Sequence, residues 1–290
     1  MDLNNDGYRD ILSGSYSRME KSMAGLFQVL WGQPGGQFKE AAVLKGTDDQ
    51  PLIIPVKSES EMIEKICTRP TAVDWNGDGK LDLVVGNFGG TVYLFKGEGN
   101  GKFRPKAEPL MTGTDVLRIQ GHHSDPFVVD WDGDGDLDVV SGSSEGGVQW
   151  AENTAGRGKL PALKPFKTLI KPNPAIEDGQ LVSEQELTGP AASTRVWVED
   201  VDGDGKLDIL VGDDITLVSL PKGVSKKEYT RRFEKWKKDF EAASKARSAS
   251  ESGDSRGQES AQKRINELYE QRTEFMHEDR TGYVWLYKRK

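Results

Sequence analysis

Four copies of one nine-residue acidic loop constrain the fold of this chain more than any other feature. They occupy residues 2–10, 74–82, 130–138 and 200–208. Each copy has Asp or Asn at positions 1, 3 and 5, Gly at position 6 and Asp at position 9. Alternating side-chain oxygens on a turning backbone converge on one point, and Ca²⁺ binds six to eight oxygens at about 2.3–2.6 Å. A single copy is equally typical of a solvated Asp/Gly turn, but four copies at one internal spacing favour calcium loops.

The predicted ligands are the side chains at positions 1, 3, 5 and 9 and the backbone carbonyl at position 7. By loop they are Asp2, Asn4, Asp6, Tyr8 and Asp10; Asp74, Asn76, Asp78, Lys80 and Asp82; Asp130, Asp132, Asp134, Asp136 and Asp138; and Asp200, Asp202, Asp204, Lys206 and Asp208. An EF-hand would instead require flanking helices and a bidentate Glu at position 12. Position 12 is Ser or Val in all four copies, so these loops belong to another structure.

Short apolar runs follow the loops and predict β-strands. Each run is rich in Val, Ile and Leu and closes on a glycine twelve residues after the first Asp of its loop, a pattern typical of strands. These glycines are Gly14, Gly86, Gly142 and Gly212. The runs are apolar on both faces, which indicates strands packed between neighbours.

The spacing of the loops predicts an array of four-stranded units. Their first Asp residues are 72, 56 and 70 residues apart, and repeats of this length are typical of arrays and propellers. In the second unit the predicted strands are residues 71–75, 81–86, 91–97 and 102–110; in the third they are 126–131, 137–142, 147–153 and 160–169; the first offers 26–32 and 37–44.

With these loops, strands and glycines the chain resembles the FG-GAP/VCBS repeat family over residues 1–221 and 281–290. The resemblance implies an all-β, calcium-binding β-propeller with up to four Ca²⁺, related in fold to the integrin α-subunit head and common among secreted bacterial proteins. We expect about four blades. Met1 directly precedes the first ligand, so the first blade lacks its first strand, and we expect that upstream sequence with a secretion signal is missing.

Residues 222–280 interrupt the repeats and predict an inserted helical hairpin. One apolar stripe has helical spacing: Tyr229, Phe233, Trp236 and Phe240. A looser stripe follows: Ile265, Leu268, Tyr269, Phe275 and Met276. The stripes either cover each other or dock on another surface, which would allow self-association. Residues 281–290 then return to β. If residues 215–220 only prolong the second strand of the last blade, the hairpin lies between strands two and three; otherwise it precedes strand four. The first arrangement is favoured.

Composition and loop lengths direct the functional expectation towards binding. The net charge of −8 argues against nucleic acid, and four Ca²⁺ would offset it. No stretch is apolar enough to span a membrane. The long loops lie at the end opposite the calcium loops, where ligand contacts are expected. Candidate contacts there are Arg18, Arg69, Arg118, His122, His123 and Arg195. With no catalytic motif, we expect an extracellular, periplasmic or cell-surface module that binds protein or carbohydrate; a polysaccharide lyase or hydrolase is the alternative.

Overall fold

The computed structural model describes residues 1–15, 24–157, 159, 161–249 and 255–290. Within these ranges the chain is mostly β, with antiparallel strands in several small sheets and two α-helices. It separates into two compact units. The repeat unit comprises Met1–Asn173, Thr188–Asp214 and Gly282–Lys290, and the helical unit comprises Pro174–Leu187 and Ile215–Thr281.

The strands of the first three repeats follow the predicted pattern. The first repeat has β1 (Ile11–Ser13), β2 (Gln28–Leu30), β3 (Gly32–Gln33), β4 (Gln37–Phe38) and β5 (Ala42–Val43). The second has β6 (Arg69–Val73), β7 (Asp82–Gly86), β8 (Val92–Gly99) and β9 (Lys102–Pro109), followed by the ribbon of β10 (Met111–Thr112) and β11 (Asp115–Val116). The third has β12 (Asp125–Val129), β13 (Asp138–Gly142), β14 (Val148–Ala151) and β15 (Lys167–Ile170).

The second and third repeats each form a four-stranded sheet with the strands in chain order, whereas β1, β2 and β5 form a three-stranded sheet and β3 pairs with β4. The predicted strands of the second and third repeats are therefore confirmed. Most of their ends agree with the structure to within a few residues, but the last strand of the third repeat begins at Lys167 rather than at residue 160. Each of the two predicted first-repeat strands breaks into two short pieces, one at residue 31 and the other at residues 39–41, on either side of the 3₁₀ turn Pro34–Gly36. Further 3₁₀ segments are Glu59–Glu64 and Glu184–Glu186.

The fourth repeat resolves the question about the helical insertion. Its strands are β16 (Ala192–Glu199), β17 (Asp208–Ser219), β18 (His277–Thr281) and β19 (Val284–Tyr287). The first part of β17 pairs with β19, while its second part, from Ile215, pairs with β18. Residues 215–219 thus prolong the second strand, and β19 is the third. The favoured arrangement is confirmed, with the helices between strands two and three.

Successive sheets of the repeat unit pack face to face through apolar clusters. Phe27 and Val29 of the first sheet pack with Phe95 and Phe103 of the second. Separate clusters join the second sheet to the third and the third to the fourth. All five residues of β7 and of β13 are buried, because these strands have a neighbour on each face. This packing explains why the runs that follow the acidic loops are apolar on both faces.

The glycine that ends each apolar run has a specific role at three of these contacts. A Cβ on Gly14, Gly86 or Gly142 would collide with a backbone carbonyl of the next repeat, at Thr68, Ser124 and Thr194 respectively. Each of these residues lies six positions before the acidic loop of its repeat. The hydroxyls of the same three residues accept backbone N–H groups from Ser15, Asn87 and Ser143. Glycine is required because the end of one sheet directly contacts the start of the next.

The helical unit contains α1 (Lys226–Ala249) and α2 (Ser255–Arg272). Tyr229, Phe233 and Trp236 are buried in one cluster with Leu268 and Phe275, so the two predicted stripes cover each other. The alternative in which Tyr229 and Trp236 remain free to dock elsewhere is wrong within this unit. Within the described ranges, no helix combines the length and apolar character that crossing a membrane requires.

The units divide the chain differently from the predicted boundaries at 221/222 and 280/281. Pro174–Leu187 belongs to the helical unit. Val182 and Val218 form an isolated antiparallel β-bridge, in which each backbone N–H donates to the other residue's carbonyl. The hydroxyl of Tyr229 donates a hydrogen bond to the carbonyl of Gly179 at 2.6 Å. The partners in these contacts are 36 and 50 residues apart along the chain, so no local sequence pattern predicts them.

Candidate metal loops

All four acidic loops connect the first and second strands of their repeats, or precede the second strand in the first repeat, and they share one pattern of hydrogen bonds. The position-1 carboxylate accepts the backbone N–H of position 6, from Gly7, Gly79, Gly135 and Gly205, at 2.8, 2.9, 3.0 and 2.8 Å. The position-5 carboxylate accepts the N–H of position 7, from Tyr8, Lys80, Asp136 and Lys206, at 2.9, 2.9, 3.1 and 2.9 Å. The loops therefore have one conformation, with side chains turned towards the loop interior.

This conformation requires left-handed backbone at two positions of each loop. Position 6 is always glycine, with φ of 89°, 83°, 94° and 85° along the four loops. Position 4 has φ of 61°, 73°, 83° and 76°, at Asn5, Gly77, Gly133 and Gly203. Glycine adopts these angles without steric cost, and Asn tolerates them better than most residues. The left-handed backbone at position 4 was not predicted, although the three glycines and one asparagine found there are typical of that conformation.

Two of the loops bring three carboxylates close enough to share a cation. In the third loop one carboxylate oxygen each from Asp130, Asp132 and Asp134 lie within 4.8 Å of one another. In the fourth loop the same holds for Asp200, Asp202 and Asp208. Two oxygens on one Ca²⁺ are separated by at most about 5 Å, twice the usual Ca–O distance. Both the spacing and the hard oxygen donors fit calcium.

The position-9 carboxylates have a structural role that the sequence did not predict. They are buried in all four loops, and each accepts two backbone N–H groups. One donor is position 2 of the same loop: Leu3, Trp75, Trp131 and Val201. The other lies at or just beyond the third strand: Gly32, Gly97, Asn153 and Arg289. Position 9 thus ties each loop to its sheet, and each oxygen keeps a second lone pair for a cation.

Burial also alters the acidity of two of these anchors. Loss of solvent raises the pKa of Asp138 to about 6, against the smaller opposing effect of its backbone hydrogen bonds. Burial raises the pKa of Asp82 as well. A positive charge in the loop would favour the ionised form of such a carboxyl group.

The four loops differ in what surrounds their carboxylates. In the first two, the amide nitrogens of Asn4 and Asn76 donate to the position-5 carboxylates at 3.0 and 3.3 Å. In the fourth, the ammonium of Lys288 lies 2.9 Å from Asp202 and lowers the pKa of that carboxyl. The third loop has three aspartates at positions 1, 3 and 5, and among the described residues none of them forms an ion pair with Lys or Arg. We therefore expect its attraction for a cation to be the strongest of the four.

The third loop also has an additional carboxylate at position 7. Asp136 is buried, and its Oδ2 accepts the N–H of Gly156 at 2.6 Å. Its Oδ1 is buried without a hydrogen-bond partner among the described residues. A buried carboxylate oxygen without a donor is costly, and a nearby cation would offset that cost. Asp136 is not one of the three clustered carboxylates of this loop, so its side chain is not assigned to the cation.

At the other end of the sheets, two of the predicted contact residues flank one carboxylate. Asp125 lies 3.6 Å from Nε of Arg69 and 3.8 Å from Nε of Arg195. The three residues occupy the same position in the first strands of the second, third and fourth repeats, each five residues before its loop. The alternating charges tie three successive sheets together. A cavity of about 360 Å³ adjoins them, lined also by Ser15 and Cys67.

The remaining predicted contacts are divided between packing and exposure. His123 packs edge-to-face on Phe88, and burial lowers its pKa to about 4. His122 is exposed. Arg118 forms an ion pair with Glu64 at 2.9 Å. Arg18 lies outside the described residues. Among the described residues, these side chains form no set of a nucleophile with a base.

The comparisons with known proteins agree with the repeats. A model described as FG-GAP-like repeat matches residues 74–141 and again residues 130–211. Residues 74–211 therefore consist of FG-GAP-like repeats, which supports membership in the FG-GAP/VCBS repeat family. Both matches contain complete acidic loops and the strand that follows, so the predicted resemblance is confirmed. A search of curated proteins found no match.

Proposed function

We propose that this FG-GAP/VCBS protein is a calcium-stabilised, extracellular binding module whose four successive sheets are blades of a propeller. Face-to-face packing of each sheet on the next supports the propeller, as does the close glycine contact at three of the junctions. FG-GAP repeats are typical of extracellular and cell-surface proteins, which supports the location. The blade count of four follows from the four loops.

Calcium would be held by the position-1, -3 and -5 side chains, with the position-9 carboxylate contributing as in the fourth loop. The observation that carries this assignment is the convergence of the Asp130, Asp132 and Asp134 carboxylates in the third loop. In each repeat the loop is tied by its position-9 Asp to the third strand, so a bound cation would stabilise a whole sheet. The role of the metal is therefore to stabilise the scaffold.

The binding surface proposed for a protein or carbohydrate ligand is the end opposite the loops. The cavity beside Asp125, Arg69 and Arg195 supports this choice, because polar and charged groups converge there on rigid strands. No arrangement of described side chains favours the enzymatic alternative, and we do not propose it.

Calcium titration by calorimetry, with Mg²⁺ as competitor, tests the metal assignment. We expect two or more sites that discriminate against Mg²⁺, because the open oxygen-rich loops suit the larger ion. Binding to protein and glycan arrays with calcium present, compared between the native chain and Arg195→Gln, tests the surface. Lys171→Gln, an exposed cation elsewhere in the repeat unit, serves as the control. The absence of calcium binding at millimolar concentration would refute the first part of the proposal.

A further inference from the structure

The cleft between the second and third sheets differs from the cleft between the first and second in one respect: its large aromatic residues are replaced by smaller ones. The strand registers define the equivalent positions. Phe95 pairs with Leu83 in the second sheet, and Ala151 pairs with Val139 at the same place in the third. The backbone N–H groups of Leu44 and Leu110 likewise donate to Phe27 and Val92.

Four replacements remove volume from this second cleft. Going from the first cleft to the second, Phe27 becomes Val92, Trp31 becomes Lys96, Phe95 becomes Ala151 and Phe103 becomes Leu163. The exchanges of Leu3 for Trp75 and of Val29 for Leu94 add volume. In the cleft between the third and fourth sheets the position of Leu94 is taken by Trp150, whose ring lies under Lys167 at 4.0 Å. In the second cleft, by contrast, Val92 and Leu94 on one wall face Ala151 and Leu163 on the other.

A cavity of about 580 Å³ results from these replacements. Its apolar wall is formed by Trp75, Leu94, Leu110, Pro161 and Leu163. A volume of this size is within the usual range for small-molecule sites. The cavity lies at the loop end, beside Asn76 and Asp78 of the second loop, and is thus separate from the binding surface proposed above.

One buried polar atom in the cavity wall lacks a partner. Trp75 is 6% exposed, and its indole Nε1 is buried with no acceptor among the described residues. Buried indole N–H groups usually have a hydrogen-bond acceptor. Because this nitrogen is closed to solvent, Trp75 borders the cavity with the apolar part of its ring.

The cavity lining carries both signs of charge: Lys80, Lys96 and Arg104 lie there together with Asp78, Asp82 and Glu108. Lys80 and Arg104 share the carboxylate of Glu98, and Lys96 and Lys106 share that of Glu108. These ion pairs join four cations to two carboxylates. Asp82 is buried and accepts the backbone N–H groups of Trp75 and Gly97. Asp78 is also near, but its oxygens accept hydrogen bonds from Lys80 N–H and the Asn76 amide. Exposed ion pairs contribute little to stability, so an incoming anion can displace them.

We propose that this cleft binds an organic anion in which one apolar ring or branched chain adjoins a carboxylate. The apolar group lies between Leu94 and Leu163, and the carboxylate is bound by Lys96 and Arg104. The same chemistry is available from a free aromatic acid and from the C-terminal residue of a peptide.

Calorimetric titration in calcium-containing buffer tests the proposal with two pairs of probes. The first pair is N-acetylphenylalanine and its neutral amide; the second is a pentapeptide ending in Phe, with a free or an amidated C-terminus. We expect each acid to bind at least tenfold more tightly than its amide. Tighter binding of the acidic peptide than of the free acid identifies a peptide C-terminus as the source, and equal binding identifies a small acid.

Variants locate the binding in the cleft. Leu94→Trp introduces the residue found at this position in the third sheet and should abolish binding of both acids. Met111→Trp fills the cavity from an exposed position at its rim, in case the buried substitution impairs folding. Lys96→Gln should weaken binding at least fivefold. Lys164→Gln, at the third-repeat position equivalent to Arg104, should leave it unchanged. Equal affinity for acids and amides, or undiminished binding by folded Leu94→Trp or Met111→Trp, would overturn the proposal.

Discussion

The repeat unit and the helical unit achieve stability by different means. The repeat unit consists of short strands around buried carboxylates such as Asp82 and Asp138, and its loops concentrate negative charge. The helical unit buries stacked rings instead: Tyr229, Phe233, Trp236 and Phe240 follow one another at centroid distances of 5.0–5.7 Å. One unit should therefore respond to cations and the other to loss of packing, and each difference can be measured.

Chelation should have the largest effect and should be confined to the repeat unit. A site at about ten times its Kd adds about 1.4 kcal/mol, so four independent sites add about 6 kcal/mol. For a domain of this size that corresponds to a shift in Tm on the order of 10–20 °C. Calorimetric melting with and without EGTA, with helix content followed at 222 nm, measures both units. A β signal that melts at the same temperature in excess EGTA would contradict the calcium assignment.

Loss of one ring should have the opposite selectivity. Trp236 is buried, and its indole N–H donates to the carbonyl of Leu268 at 2.8 Å. Trp236→Ala should destabilise the helical unit by about 3–5 kcal/mol, the usual cost of removing a buried large aromatic residue. Calcium stoichiometry and affinity should be unchanged. Trp197→Ala, at a side chain that is 54% exposed, is the matched control. It should change the free energy of unfolding of either unit by less than about 1.5 kcal/mol. Reduced calcium binding in Trp236→Ala would show that the units are coupled.

Within the repeat unit, the third loop should bind calcium more tightly than the first. Asp134→Ala should eliminate one site from the calorimetric titration, with a loss of affinity of tenfold or more at that loop. Asp6→Ala, at the equivalent position, should have a smaller effect, because the Asn4 amide already satisfies part of that carboxylate. Equal losses in the two variants would mean that the charge at position 3 does not determine the ranking.

The smallest expected effect is a gain of affinity at the fourth loop. The ammonium of Lys288 forms an ion pair with Asp202 and competes with a cation for that carboxylate. Lys288→Gln should therefore strengthen calcium binding there by a factor of about two to five. The gain should shrink with added salt, since exposed charges are screened. Lys290→Gln removes a nearby charge that has no ion pair with the described residues and serves as the control. An identical gain in both variants would attribute the effect to net charge rather than to the contact.

Several features of the structure were predictable because they depend on local chemistry. The loops need oxygens and left-handed backbone within nine residues, and the strands of the second and third repeats follow from apolar runs bounded by glycine. The stripe beginning at Tyr229 likewise follows from helical spacing. Other features depend on distant partners: Pro174–Leu187 joins the helical unit through contacts such as Val182 with Val218, which no local pattern encodes.

The sequence by itself determined the repeats, the acidic loops, the calcium hypothesis and the presence of two amphipathic helices, because each is written in the spacing of neighbouring residues. Only the tertiary structure decided what each loop meets. It directs the position-9 carboxylates to the third strands, brings Lys288 to Asp202 and leaves a cavity where Ala151 replaces Phe95 in the strand register. These outcomes depend on which side chains the folded sheets bring together, a property of distance in space rather than of separation along the chain.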